Sequence, residues 1–301
     1  MTKFLYQSFW EGNKKFLTYL IGFLVMIGGN IIASIPLLVY GMSSGSITSD
    51  GEMNMQGVDK NRMLLLMLLP FVGMLAGMYL AQEKLHQRPF LTLITPNAKI
   101  NWQKILFSFG LWFALNLIIQ AVDCALEPDL VFQFNFIPFL LLCLISLLLI
   151  PLQTSLEELF FRGYCMQGIG NMTKIPLIPL LITAVSFGAM HLANPEVQAM
   201  GLGLSMSYYI GFGLILGAIT LLDNSLELAL GFHAANNIFA SVFITFKSSA
   251  LQTDALWIDP HLDFTRMFLL WLGAIAVYLI VIHKKYKLAS IASLWKISER
   301  E

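Results

Sequence analysis

Charge is the property that this sequence lacks most clearly. Charged residues make up 12% of its 301 residues and hydrophobic residues 57%, whereas soluble globular chains carry about 25% charged residues. The 18 basic and 18 acidic residues cancel, so the sequence offers no basic surface for a nucleic-acid partner. Its three cysteines, Cys124, Cys143 and Cys165, are an odd number without a CxxC pair, which excludes a disulfide framework and a zinc ribbon. Together these deficits exclude a soluble protein and indicate a polytopic membrane protein.

Long apolar runs take the place of the missing charge. A helix needs about 20 apolar residues to cross the hydrocarbon core of a bilayer. Stretches that reach or approach this length are residues 16–41, 63–81, 105–122, 134–152, 176–193, 205–222, 226–245 and 266–283. The run from Phe16 to Tyr40 is too long for a signal-peptide core and lacks an A-x-A exit, so we expect it to remain as the first span. The expected fold class is an all-α, polytopic membrane helix bundle with about eight transmembrane helices.

Polar segments divide the chain into three parts. Residues 1–130 hold three spans, preceded by a short helix at Phe4–Trp10 whose alternating apolar residues suggest a position in the membrane interface. Within this part, residues 43–62 are polar and rich in Gly and Ser, so we expect a flexible loop outside the membrane. Residues 131–250 form a helical core that contains the polar motifs described below, and residues 251–301 form the last span and a basic tail.

Basic residues are distributed unevenly between the two sides of an eight-span topology. Fourteen of the 18 Lys and Arg residues fall on the side of both termini, and four fall on the other side. Because cytoplasmic loops carry the excess of Lys and Arg, this asymmetry predicts a multi-pass protein of the cell membrane with both termini in the cytoplasm.

The densest group of ionisable residues follows the fourth apolar stretch. Ionisable residues are costly inside a membrane and are functional candidates by default. Pro151 is expected to break the preceding helix, with Ser155 and Glu158 forming a capping box for a new helix that is either a kinked continuation or a re-entrant element. Glu158 and Arg162 are i,i+4 neighbours that can pair, which leaves Glu157 without a local partner. A lone carboxylate suits a general base or acid, although a structural role for both glutamates stays open.

Two histidines lie well inside apolar segments. If residues 171–175 form the turn between antiparallel helices, Glu157 and His191 differ in depth by only ~3 Å, so their side chains can meet. His233 and Asn237 are i,i+4 neighbours, so one helix face presents an imidazole and a carboxamide together. For an isolated histidine on an apolar helix, a packing role is the alternative. The other histidines, for which a solvated or interfacial role is expected, are His86, His261 and His283.

The three motifs, taken together, resemble those of a known family. They are Glu157-Glu158-x-x-x-Arg162, Phe187-x-x-x-His191 and His233-x-x-x-Asn237. In this order and on separate apolar segments, they match the pattern of the CPBP family of intramembrane proteases. This family groups CAAX proteases with bacteriocin-processing enzymes (the Abi group) and includes the type II CAAX prenyl endopeptidase. The resemblance covers about residues 134–245, and no motif position departs from the family pattern.

The resemblance implies an intramembrane endopeptidase that acts on membrane-associated peptides or proteins. In such an enzyme Glu157 and His191 would activate a water molecule, and His233 and Asn237 would hold the oxyanion that forms. The neighbouring ion pair would fix the helix that carries the base. Prenylated C-terminal peptides, bacteriocin leaders and anchored membrane proteins all stay open as substrates.

The resemblance leaves the question of a metal open, because members of the family have been described both as metalloproteases and as metal-free, glutamate-dependent proteases. Glu157, His191 and His233 could supply the three protein ligands of a catalytic zinc. However, the sequence has no HExxH, the usual spacing of a zinc protease. We therefore favour a site that requires no cofactor, with zinc as the alternative.

Two functions without proteolysis also fit buried carboxylates and histidines. They could form a proton relay in a small transporter, or they could belong to a non-catalytic immunity or scaffold protein. A transporter is expected to show pseudo-symmetry between its halves, with paired broken helices. Here the polar groups crowd residues 155–237, and residues 1–130 show no counterpart, which favours an enzyme.

Overall fold

The structure is a computed structural model that describes residues 3–10, 12–45, 57–126 and 129–296. Most of the predicted loop at residues 43–62 and the end of the basic tail lie outside the described residues. Helices form almost all of the regular structure in the described part, so the all-α class is confirmed.

The helices and strands follow one another along the chain with short connections. The helices are α1 (Lys3–Trp10), α2 (Phe16–Ser44), α3 (Lys60–Leu80), α4 (Trp102–Leu126), α5 (Phe136–Glu158), α6 (Met166–Met172), α7 (Leu177–Met190), α8 (Pro195–Met200), α9 (Leu202–Asp223), α10 (Glu227–Val242) and α11 (Phe264–Tyr286). The π-helical turns are Ala81–Leu85, which continues α3, and Leu159–Cys165, which joins α5 to α6. The 3₁₀ turns are Phe90–Leu93 and Ile291–Leu294, and the strands are β1 (Val131–Phe132), β2 (Ile244–Phe246) and β3 (Trp257–Asp259).

Six helices in the described part of the chain are long and apolar enough to cross a membrane. They are α2, α3 with its π turn, α4, the joined helix α5–α6, α9 and α11. The stretches predicted at residues 176–193 and 226–245 instead form α7 and α10, which have 14 and 16 residues. At 1.5 Å per residue these helices are about 21 and 24 Å long, shorter than a hydrocarbon core of about 30 Å. The multi-pass bundle is thus confirmed, whereas the number of eight spans is not.

The expected helix break at Pro151 is wrong. Pro151 lies inside α5, and the helix runs on through the π turn and α6 to Met172, so that it has 37 residues. Ser155 and Glu158 therefore form no capping box, and the segment is a continuation of the fourth span. Helices in membranes tolerate proline because the loss of one backbone hydrogen bond is compensated by the surrounding protein. Along this helix the irregularity falls instead at Leu159–Cys165, and π turns are common at functional sites.

Hydrogen bonds between distant segments define the two ends of the bundle. At one end, which we call the termini end, Phe4 N–H donates to Asn224 Oδ1 (2.9 Å) and Ala289 N–H donates to Leu222 O (3.0 Å). Helix α10 begins three residues after Asn224 and ends at Val242, directly before β2. The opposite end, which we call the strand end, holds a sheet of order β1-β3-β2, in which β3 pairs antiparallel with β1 and parallel with β2.

Helix α1 forms where a short interfacial helix was expected, but it is docked on the bundle. Phe4 and Leu5 are fully buried, and α1 packs against α6. Phe4 and Leu5 therefore pack inside the protein, and the hydrogen bond from Phe4 to Asn224 fixes the helix against the start of α10. The side chains of Phe9 and Trp10 lie outside the described residues, so the interfacial position of the helix stays a prediction.

His86 is fully buried, which contradicts the solvated or interfacial role expected for it. His261 and His283, for which the same role is expected, are exposed. Its Nδ1 lies 2.8 Å from Asn13 O and its Nε2 lies 2.9 Å from Tyr164 Oη. Burial lowers the pKa of His86 to about 4. The hydrogen bond to Asn13 raises this pKa and the charge of Arg88 lowers it, but burial has the largest effect. The imidazole is therefore neutral near pH 7. Gln82 and Arg88 are buried beside it. The segment after α3 folds onto the protein, and the N-terminal part thus contains buried polar residues that the sequence did not indicate.

Candidate active site

The predicted site residues come from four segments that meet in the interior of the bundle. Helix α5 and the π turn carry the two glutamates and Arg162, the C-terminal end of α7 carries His191, and α10 carries His233 and Asn237. Helix α5 packs against α10, and α7 packs against α9 and the π turn. These contacts bring together residues that are up to 80 positions apart in the sequence.

His233 lies between the two glutamates. Its Nδ1 is 2.7 Å from Glu158 Oε1, and its Nε2 is 3.6 Å from Glu157 Oε2. The imidazole is buried between these two carboxylates. The sequence predicts that His233 lies beside Asn237; the contact of His233 with both carboxylates depends on how α10 packs on α5.

The predicted pair between Glu158 and Arg162 is present and completely buried. Arg162 Nη1 donates to Glu158 Oε1 (2.8 Å) and Nη2 donates to Gly213 O (3.3 Å) on α9. The guanidinium carbon lies 4.5 Å from the centre of the Phe187 ring. Glu158 Oε1 thus accepts from both Arg162 and His233, while its Oε2 has no hydrogen-bond partner among the described residues. The pair ties the π turn to α7, α9 and α10.

Glu157 is not the isolated carboxylate that was expected. Gln153 Nε2 donates a short hydrogen bond to Glu157 Oε1, and His233 lies beside Oε2. The sequence does not single out Gln153, because it belongs to none of the three motifs and is not ionisable. A signal was present, since an amide four residues before Glu157 lies on the same helix face.

A chain of amide side chains leads to Glu157 from α4. Trp112 Nε1 donates to Asn236 Oδ1 (3.2 Å), Asn236 Nδ2 to Asn237 Oδ1 (3.1 Å), and Asn237 Nδ2 to Gln153 Oε1 (3.2 Å). An indole N–H can only donate, so Trp112 orients each amide in turn. As a result, Glu157 Oε1 receives the last N–H of the chain, and Oε2 is the oxygen that is left to exchange a proton.

His191 is near Glu157 but is held by other groups. Its Nδ1 lies 2.7 Å from Phe187 O, and its ring stacks on Tyr209 with centroids 4.2 Å apart. The imidazole interacts electrostatically with Glu157 and His233, but no hydrogen bond joins it to Glu157 within the described part of the chain. Because a carbonyl can only accept, Nδ1 carries the proton and Nε2 of the neutral ring has a free lone pair.

The suggested zinc ligands do not converge on one point. In the ranges that the structure describes, no three His, Cys, Asp or Glu side chains are placed to hold a metal ion. Glu157 and His233 are adjacent, but His191 stands apart against Tyr209. The arrangement as it stands does not fit a three-ligand metal centre, so we derive the chemistry without a metal.

Comparisons with known proteins match the region that carries the site. A family model described as type II CAAX prenyl endopeptidase, Rce1-like, matches residues 135–239. A curated relative, the uncharacterized protein YyaK of Bacillus subtilis (strain 168), is 39% identical over 249 residues, which are 79% of this chain and 81% of the relative. No solved structure matches the chain significantly. The family match spans all the motif residues from the start of α5 to the end of the third motif.

Proposed function

The chain belongs to the Rce1-like family of type II CAAX prenyl endopeptidases, and we propose that it hydrolyses peptide bonds of membrane-associated substrates at the Glu157–His233 site. One observation supports this most strongly. His233 lies between two glutamates, and a directed amide chain leads to the same point, all within apolar helices. Burying polar groups costs free energy unless they are hydrogen-bonded. Here the hydrogen bonds of the buried amides lead to the carboxylate of Glu157.

Glu157 acts as the general base in this proposal. Its Oε1 is held by Gln153, and its Oε2 takes a proton from a water molecule that attacks the scissile carbonyl carbon. His191, neutral and with a free Nε2, interacts electrostatically with Glu157 and assists in activating that water. As the tetrahedral intermediate collapses, the carbon–nitrogen bond breaks and the proton passes to the leaving amine.

His233 and Asn237 stabilise the oxyanion. Glu158 accepts from His233 Nδ1–H, so Nε2 faces the reaction centre and donates to the oxyanion when the imidazole carries a proton on both nitrogens. Asn237 uses one N–H for Gln153, and its amide nitrogen has a second N–H to donate. Donors fixed in a site without bulk water stabilise developing charge by several kcal/mol. Arg162 neutralises Glu158 and thereby keeps the second glutamate from competing as a base.

Comparison of protein termini tests the proposed function. Membranes are prepared from cells that express the wild-type chain or the Glu157→Gln variant, and new peptide termini are identified by mass spectrometry. We expect a set of new termini in membrane proteins that requires Glu157. Identical termini in both samples would remove the support for proteolysis.

Chelation tests the absence of a metal requirement. Because the described ligand candidates do not converge, cleavage by the purified protein in detergent should survive prolonged treatment with a strong chelator. Loss of cleavage followed by recovery on adding zinc would show a metal enzyme, while the assignment of Glu157, His191 and His233 to the site would stand.

A further inference from the structure

A groove lies at the termini end of the bundle, between the first turns of α4 and the last turn of α11. Its volume is about 250 Å³, and its lining residues are Asn101, Gln103, Lys104, Phe107, Lys285 and Tyr286. Lys104 places the groove at this end, because its ammonium pairs with Asp223, the neighbour of the Asn224 that holds α1. None of the lining residues belongs to the candidate active site, so the groove is a separate feature of the fold.

The depth of the groove in the membrane follows from the two helices that form it. Helices α4 and α11 are both long and apolar enough to cross a membrane, and the groove lies where α4 begins and α11 ends. A spanning helix ends near the boundary between the hydrocarbon core and the lipid headgroups, whichever side of the membrane this is. Trp102, the first residue of α4, is 63% exposed, and tryptophan is enriched at this boundary. The groove therefore lies at the level of the headgroups.

The two lysines of the groove differ in their partners. Lys104 Nζ lies 3.0 Å from Asp223 Oδ2 and 3.3 Å from Glu227 Oε2, so carboxylates neutralise its charge. Lys285 is exposed and pairs with no carboxylate among the described residues. Its Nζ lies 4.2 Å from the centre of the Phe107 ring, and the face of an aromatic ring attracts a cation. The Lys285 ammonium thus has a defined position, and its charge is not compensated.

The other groups of the groove also suit an anion that is attached to an apolar part. Among the described residues that line it, none carries a negative charge. Asn101 Oδ1 accepts from the backbone N–H of Lys104, which leaves the amide nitrogen as a donor, and Gln103 supplies a second amide. Leu106 is 66% exposed and lies one turn further into the span, on the same side of α4 as Gln103. Donors and positive charge thus stand directly above an exposed apolar surface.

We propose that this groove binds the phosphate headgroup of an acidic phospholipid. The phosphate oxygens contact the Lys285 ammonium and accept from the amides of Asn101 and Gln103, while an acyl chain of the same lipid runs past Leu106. Basic pockets between membrane helices bind lipid headgroups through the same chemistry. A zwitterionic lipid suits the groove less, because its own ammonium group approaches the two lysines. The site is independent of the proposed peptidase function, since it shares no residue with it.

Lipid titration of the purified full chain tests this site without any measurement of cleavage. The protein in detergent is titrated with dioleoyl-phosphatidylglycerol, and the protein–lipid complexes are quantified by native mass spectrometry. The variants are Lys285→Gln, which removes the charge, and Lys285→Arg, which keeps it. Lys174→Gln is the matched control, because Lys174 is another exposed lysine without a carboxylate partner in the described part of the chain. It lies in the turn between α6 and α7. Dioleoyl-phosphatidylcholine and inorganic phosphate are tested in parallel.

We expect the first phosphatidylglycerol to bind Lys285→Gln with a Kd about fivefold higher than that of the wild type, since one lysine beside anionic lipid contributes about 1 kcal/mol. Lys285→Arg and Lys174→Gln should bind this lipid like the wild type, and phosphatidylcholine should bind the wild type more weakly.

The site would be overturned by an unchanged Kd in Lys285→Gln, by an equal rise in Lys174→Gln, or by an equal rise in Lys285→Arg. Equal binding of phosphatidylcholine would overturn the preference for an acidic lipid. Displacement of phosphatidylglycerol by an equal concentration of inorganic phosphate would overturn the assignment to a lipid and show a site for soluble phosphate.

Discussion

Glu157→Gln should reduce peptide-bond cleavage by about 10²–10⁴-fold, towards the upper end of that range, because the change removes the base that generates the nucleophile. A glutamine at this position keeps the size of the side chain and an oxygen that can accept the N–H of Gln153. Its amide nitrogen takes no proton from water near pH 7. We therefore expect a folded protein whose melting temperature in detergent is close to that of the wild type.

Glu83→Gln is the matched control for this experiment. Glu83 is also a hydrogen-bonded glutamate, since its Oε1 accepts from Phe90 N–H (2.7 Å), but it lies in the π turn after α3, away from the site. The control should cleave at the wild-type rate. Wild-type cleavage by Glu157→Gln would show that another group is the base.

Glu158→Gln should have its main effect on stability rather than on chemistry. Glu158 and Arg162 are 0% and 1% exposed, so water cannot replace the lost charge. Breaking a buried ion pair from one side costs about 3–5 kcal/mol, because the remaining charge is left uncompensated. The variant should show a lower melting temperature or lower expression, with cleavage reduced in proportion to the folded protein. A glutamine can still accept from His233 Nδ1, which preserves the position of the imidazole.

A second substitution, at Arg162, should recover part of the stability that Glu158→Gln loses. In the double variant Glu158→Gln with Arg162→Met, both charges of the ion pair are removed, and the methionine fills most of the volume beside Phe187. The melting temperature should lie between those of the single variant and the wild type. A Glu158→Gln protein that melts normally but does not cleave would show that the roles of the two adjacent glutamates are exchanged.

Local geometry explains the parts of the site that the sequence could predict. Glu158 and Arg162 pair because i,i+4 neighbours share a helix face whatever the rest of the fold does. The approach of His191 to Glu157 follows from the short turn between α6 and α7, because this turn brings the two residues to similar depths. The all-α bundle follows from the scarcity of charge, since every backbone polar group in a membrane must be satisfied within helices or closed barrels.

Tertiary packing explains what the sequence could not show. The helix continues through Pro151 and changes to a π turn at Leu159–Cys165. Neither feature follows from the helix propensities of the local residues. His86 looks like a loop residue, yet its surroundings are supplied by Asn13 and Tyr164, which are distant in the sequence. The role of Gln153 likewise becomes visible only when α10 brings Asn237 against it.

The orientation imposed by Trp112 has a consequence for the stereochemistry of the reaction. Every amide between the indole and Glu157 is turned the same way, so the last N–H of the chain is directed at Oε1 of the carboxylate. In the proposed mechanism the attacking water then sits on the side of Oε2. A nucleophile held on one side reaches the planar scissile carbonyl from a single face. We therefore expect the tetrahedral carbon to form with one handedness.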